Sequence, residues 1–276
     1  MSDWDIQPTK EEVEKAKEEV KPTSSEVESW FTNLKEEAGR ICAMVYGSDG
    51  TMKSGLVLAF IKLLKPEEKI VVIDLDGGDL PIIKKYYADK LTQFYHINPI
   101  VLEGTAINYK ETYNKIRYVV DWVKENYLKY NIKAIVFDGL STALTYAENQ
   151  MRVEKHIAPD GGVNMAFWKI RNKYFIETLE QIKSIPIARF FIAHEDFIAE
   201  KEEALSSVKQ KTNQMMFQKI LTKKEDDFDK VLFKAVIHKS KYNIQLENKE
   251  YILAEVNKET GSVKFQAEQV WKDILQ

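Results

Sequence analysis

The sequence predicts an α/β fold: a mostly parallel sheet flanked by helices, with antiparallel strands toward the C-terminus. Three observations carry this. Near-continuous apolar segments at 41–46 (ICAMVY), 69–75 (KIVVIDL), 132–137 (IKAIVF) and 188–193 (ARFFIA) alternate with helical patterns. Strands of that composition bury both faces, as in a parallel sheet covered by crossover helices. A glycine-containing turn follows the first strand directly, and the chain ends in short strand-like segments separated by polar turns.

Taken in order, residues 9–21 (TKEEVEKAKEEVK) alternate acidic and basic side chains and read as an exposed helix that Pro22 ends. Ser/Thr caps then precede Val27, Trp30, Phe31 and Leu34 at helical spacing, a second helix that Gly39 stops. Beyond the alternating strands, helices are expected over 109–128 and 165–183, and a polar stretch rich in Lys, Glu and Gln over 197–228. A fifth strand, KVLFKAVIH, follows that stretch. NIQLEN and YILAEVN read as a hairpin, Gly261 marks another turn, and a helix around 267–275 closes the chain. The expected organisation is an N-terminal helical extension (1–37), a core (38–247) and a C-terminal hairpin and helix (248–276).

Composition excludes several classes. With 44% apolar and 30% charged residues the chain is neither disordered nor fibrous. The apolar run after the glycine turn breaks at Lys62 and the amino terminus shows no basic-then-apolar leader, so no membrane partner and a cytoplasmic location are expected. Cys42 is the single cysteine, which excludes a disulfide framework and a cysteine-based zinc site and leaves it as core. A net charge of −3 shows no basic excess of the kind that marks nucleic-acid binders.

The chemistry concentrates in MVYGSDGTMKSGLVLAF, residues 44–60. Gly47, Ser48, Asp49, Gly50, Thr51, Met52, Lys53, Ser54 and Gly55 match a phosphate-binding loop between a buried strand and a helix. Its glycines turn backbone amides onto phosphates, its lysine reaches the β and γ phosphates, and its Ser hydroxyl holds magnesium. The pattern departs at Met52, where glycine is usual. A side chain there costs roughly 1–2 kcal/mol if the position needs positive φ. KAIVFDGLST ends an apolar strand in Asp138, placed either to hold magnesium with Ser54 or to cap the helix that follows. IVVIDLDGGD carries Asp74 and Asp76 at another strand end, where a carboxylate can orient water for in-line attack; Asp-Gly-Gly is equally a turn signal.

The order of GSDGTMKS, VIDLDGG, AIVFDGLST, RFFIAHE and FKAVIHKSKYN resembles the core of RecA-like ATPases, the superfamily containing RecA, RadA and KaiC, over roughly residues 38–245. It is most similar to compact phage and archaeal-virus versions associated with single-strand annealing and recombination. The resemblance implies ATP and Mg2+ as cofactors and a homo-oligomer, ring or filament, with ATP between subunits. It implies Asp76 as the catalytic acid, usually glutamate in the family, and Asp138 as the Walker B aspartate. It further implies His194 as a γ-phosphate sensor, and Lys239 and Lys241 as basic residues reaching a neighbour's site. Two stretches, 149–164 and 197–225, would match DNA-facing loops, the second with Lys209, Lys211, Lys219, Lys223 and Lys224 interleaved with Met215, Met216 and Phe217. Read from the residues alone, that second stretch is equally a solvated helix with an apolar stripe. The functional expectation is a Mg-dependent ATPase acting on single-stranded DNA. The alternative is a KaiC-like ATP-dependent regulatory protein without a nucleic-acid substrate. No [NT]-K-x-D guanine-reading motif stands at a strand end, which argues against a GTPase.

Overall fold

The computed structural model describes residues 41–158, 160–195, 207–241 and 243–276. Both N-terminal helices expected within 9–39 lie outside the described residues. The first strand, β1 (Cys42–Gly47), leads through a loop to α1 (Lys53–Leu58), which a 3-10 turn extends to Leu63. Then come β2 (Lys69–Asp74), α2 (Asp79–Tyr86), β3 (Phe94–Ile97), a two-residue hairpin β4 (Leu102–Glu103) and β5 (Ala106–Ile107), and α3 (Tyr109–Asn126). The middle of the chain forms β6 (Ile132–Asp138), α4 (Leu140–Glu154), α5 (Trp168–Ser184) and β7 (Ala188–His194). It ends with α6 (Ser207–Met215), β8 (Gln218–Asp226), β9 (Lys230–Ser240), β10 (Glu250–Asn257), β11 (Val263–Phe265) and α7 (Glu268–Leu275).

Nine strands form one sheet in the order β11-β10-β9-β8-β1-β7-β6-β2-β3. From β8 to β3 every pairing is parallel, and β8 through β11 pair antiparallel. This is the mostly parallel α/β architecture with antiparallel C-terminal strands that the sequence predicts. Successive strand residues point to opposite faces, so β1 serves two cores. Cys42, Met44 and Tyr46 pack with α3, α4 and α5, while Ala43 and Val45 pack with α1, α2 and α7. Helix α3 shows how local sequence achieves this. The Asn108 side chain accepts a hydrogen bond from Glu111 N at 3.0 Å, satisfying one free amide of the first turn. Tyr113, Ile116, Val120 and Val123 then recur on its buried face. At the chain's end, fully buried Trp271 of α7 donates its indole N–H to Leu56 O at 2.7 Å, fastening α7 to α1.

Three expectations need correction. Of the polar stretch 197–228, residues 197–206 lie outside the described residues, and the rest is not one loop: 207–215 is α6 and 218–226 is β8, which pairs parallel with β1. Met215 and Met216 are buried there, with Phe217 packed against the same core, so they are structural and do not face bases. Residues 149–154 likewise belong to α4, leaving 155–164 as the connection. NIQLEN is not a strand; Ile244–Leu246 form a 3-10 turn and β10 pairs with β9 across it. Cys42 is buried core, as expected.

Candidate functional site

Parallel strands end on one side of a sheet, and that edge gathers the predicted residues. Register pairs Gly47 of β1 with His194 of β7, and Asp138 of β6 with Asp74 of β2. The loop between β1 and α1 therefore sits over a row of strand ends rich in carboxylates.

Close packing shapes the loop. A Cβ at Gly47 would stand 2.4 Å from Thr222 O and 2.6 Å from Thr222 Oγ1, so β8 presses on the loop where only glycine fits. Thr51 Oγ1 donates to Ser48 O at 2.8 Å and lies 2.7 Å from Thr222 Oγ1, pinning the turn. Met52 adopts φ 68° and ψ 29°, the left-handed conformation that glycine reaches without strain. Lys53 Nζ donates to Gly47 O and Ser48 O, both at 2.9 Å, so its ammonium spans the mouth of the loop. Burial lowers its pKa, against the opposing pull of Asp49, Asp138 and Asp76.

Beneath the loop, Ser54 Oγ donates to Asp138 Oδ2 at 2.7 Å. Asp138 is buried, and that burial raises its carboxyl pKa. Asp138 does not cap α4, whose N-cap is Gly139 at φ 100°. A Cβ at Gly139 would meet Leu75 Cβ at 2.7 Å and Asp76 Oδ1 at 2.9 Å, so glycine there admits Asp76 to the site. Thr142 Oγ1 donates to Asp76 Oδ1 at 2.6 Å, fixing one oxygen. Its other oxygen stands 3.9 Å from His194 Nε2, while His194 Nδ1 is 3.0 Å from Asp49 Oδ1. Ser48 Oγ donates to Glu195 Oε2 at 2.7 Å, bringing a second residue of the β7 end to the loop.

Asp74 takes another part. Its Oδ1 accepts from Gly77 N at 2.6 Å and its Oδ2 from Asp79 N at 3.0 Å, which organises the Asp-Gly-Gly turn and the start of α2. Asp79 was missed by sequence reasoning. It is fully buried beside Asp138 and Asp74, and burial followed by the charges of those two pushes its pKa up to about 9. In the sequence it looks like an ordinary helix-start aspartate, with no signal that it would be covered.

A cavity of about 420 Å³ adjoins the loop. Gly50 to Gly55 form one wall, Ile82 and Tyr86 of α2 another, and Phe233, Val256 and Phe265 of the antiparallel strands the third. Such apolar, concave surroundings suit a planar ring. Sequence reading missed it because its walls come from three separated segments.

Lys239 and Lys241 are not brought to this edge. Lys239 pairs with Lys219 near the start of β8, level with Met44 in the middle of β1. That is roughly 10 Å along the strand direction from Gly47, at about 3.3 Å per residue. Lys241 Nζ lies 5.2 Å over the Phe217 ring. The five lysines of 197–225 are spread over α6 and the length of β8, with Lys211 paired to Glu180 at 3.4 Å and Lys224 to Asp226 at 3.5 Å. Arg152 of the other stretch pairs with Glu148 at 2.9 Å and donates to the carbonyls of Ala158 and Gly161.

No protein-family model matches the chain, and no curated protein does. Among solved structures it is similar to a KaiC-like protein from the hyperthermophilic archaeon Pyrococcus horikoshii, with TM-score 0.48 and 12% identity over 81% of this chain and 88% of the other. It is similar also to the RadB recombinase, with TM-score 0.47 and 14% identity over 83% of this chain and 92% of the other. What the site can do rests on its own residues. No described helix is long and apolar enough to cross a membrane.

Proposed function

We propose that this chain is a cytoplasmic, RecA-like, magnesium-dependent ATPase that assembles with ATP between subunits and acts on single-stranded DNA in recombination or annealing. The observation that supports it best is the convergence of Lys53, Ser54, Asp138, Asp76 and His194 on one sheet edge, linked by the Ser54–Asp138 and Thr142–Asp76 hydrogen bonds. Lys53 exchanges the Gly47 and Ser48 carbonyls for the β and γ phosphates when nucleotide enters. The base lies in the apolar cavity between the loop, Tyr86 and Phe265.

The donor set also fits magnesium. A hydroxyl hydrogen-bonded to a buried carboxylate, beside a buried Asp79 to whose oxygens no N–H or O–H donates in hydrogen-bond geometry, is an all-oxygen site with excess acid. Ser54 and Asp138 would hold the ion, which when bound neutralises phosphate charge. Asp76, with Oδ1 held by Thr142, keeps Oδ2 to orient the attacking water, and His194 hydrogen-bonds the γ-phosphate from the end of β7. Lys239 and Lys241, set back along the strands from their own loop, are the cations offered to a neighbouring subunit's phosphates.

One observation favours the KaiC-like regulatory reading. The apolar residues expected to stack on bases, Met215 and Met216, are buried, and two lysines of that stretch are ion-paired. ATP hydrolysis measured with and without single-stranded DNA separates the two. Stimulation by DNA, with binding that weakens as salt rises, supports recombination or annealing. Hydrolysis indifferent to DNA supports regulation, and no ATP binding at all removes both.

A further inference from the structure

The loop, Asp138 and Asp76 leave Asp79 without a task. It opens α2, is 0% exposed, and no N–H or O–H donates to either of its carboxylate oxygens in hydrogen-bond geometry, with Asp138 and Ser54 its close polar neighbours. Buried polar groups are nearly always bonded, and a buried carboxyl without a partner is costly. One oxygen each of Asp74, Asp79 and Asp138 lies within 4.8 Å of the others, and all three residues are buried. Asp74 is already occupied: it accepts from Gly77 N and Asp79 N, and its Oδ2 lies 3.1 Å from His96 Nε2. Asp138 Oδ2 accepts only the Ser54 hydroxyl. Among the described residues no lysine or arginine forms an ion pair with the three; Lys53 is bonded to loop carbonyls. Three carboxyl groups gathered in a buried site, with the His96 imidazole beside Asp74, are costly as charges, and an all-oxygen donor set suits a hard divalent ion.

We propose that Asp79 and Asp138 bind a divalent cation directly, with the Ser54 hydroxyl beside it and Asp74 behind, and that the protein takes up this ion before nucleotide arrives. The proposal rests on the magnesium part of the reading above. It adds Asp79 as a ligand and makes uptake independent of ATP. A hydroxyl and one carboxylate hold such an ion weakly until phosphates complete the shell; a second direct carboxylate in a largely buried site, with water filling the remaining positions, lessens that dependence.

The test is Mn2+ binding to the full chain, read from the electron paramagnetic resonance signal of free Mn2+, with and without ATP. It uses wild type, Asp79→Asn, and Asp89→Asn as an exposed control in the 3-10 turn that follows α2. Wild type and Asp89→Asn should bind one ion per chain without ATP, and Asp79→Asn about tenfold more weakly or worse. Mn2+ should raise the melting temperature of wild type and leave that of Asp79→Asn unmoved. Uptake by wild type only when ATP is present overturns the proposal and leaves the ATPase reading standing. Equal binding by Asp79→Asn also overturns it. If that variant does not fold, the nucleotide-free wild-type titration still decides. Wild type that binds Mn2+ but never ATP keeps the site and removes the ATPase reading.

Discussion

Replacing Met52 by glycine tests whether the phosphate loop works despite its departure from the usual pattern. Met52 sits at φ 68°, where an L-residue is strained by about 1–2 kcal/mol relative to glycine. Glycine relieves that strain, but it frees the unfolded chain at a cost of about 0.5–1 kcal/mol. It also removes a half-buried side chain packed against the α1 side of the core. Full burial of a methionine stabilises by about 1.5–3 kcal/mol, so half of that, about 1 kcal/mol, is lost. The contributions nearly cancel, and Met52→Gly should melt within a few degrees of wild type, since about 1 kcal/mol moves a domain of this size by about 2–4 °C. Met52→Ala isolates the backbone contribution, because it loses the packing and keeps the strain. It should be less stable than Met52→Gly by about 1 kcal/mol. The assays are thermal denaturation and calorimetric titration with ATP. Loop geometry is unchanged in Met52→Gly, so affinity should equal or exceed wild type. An alanine variant as stable as the glycine variant would show that the backbone strain is not real. A tenfold loss of ATP affinity in a well-folded Met52→Gly would show that the methionine side chain, which lines the cavity beside the loop, holds the nucleotide and that relief of strain does not decide affinity.

Lys53→Ala should abolish ATP binding in calorimetry, because it removes the ammonium at the mouth of the loop; affinity equal to wild type would make the loop vestigial. Asp76→Asn keeps the Thr142 contact and loses charge, so kcat should fall by about 10²-fold with ATP affinity little changed, and wild-type turnover would transfer the catalytic acid elsewhere. Mixing Lys53→Ala with Lys239→Ala/Lys241→Ala should restore part of the hydrolysis each lacks, since some interfaces then pair an intact loop with an intact lysine pair. No recovery in demonstrably mixed assemblies excludes action across subunits. Gln at Lys209, Lys211, Lys219, Lys223 and Lys224 should weaken single-strand binding and flatten its salt slope. Unchanged binding there moves the contact to 155–164.

Local pattern alone determined the parts of this protein whose signal is carried by neighbours in the chain. β1, β2, β6 and β7 are continuous apolar runs, and α3 keeps its apolar residues at helical spacing, so each was legible within a residue or two. That Lys53, Ser54, Asp76 and Asp138 come to one edge follows from their place after such runs, since parallel strands must finish on one edge, whereas His194 was singled out only by the family resemblance. Tertiary structure decided the rest. β8 (QKILTKKED) buries Gln218, Ile220, Leu221 and Thr222 at one end and exposes Lys223 to Asp226 at the other, so neither alternation nor a continuous apolar run announces it. Its strand character comes from pairing with β1 on one side and β9 on the other. Asp79 looks solvated in the sequence and is buried only because β2 and β6 are neighbours, which carries the start of α2 against Asp138. The cavity beside the loop exists because β8 pairs with β1 and so carries β9 to β11 alongside the loop that follows β1. Burial and electrostatic environment depend on which residues meet across the sheet, and one-dimensional periodicity records only the side a residue faces.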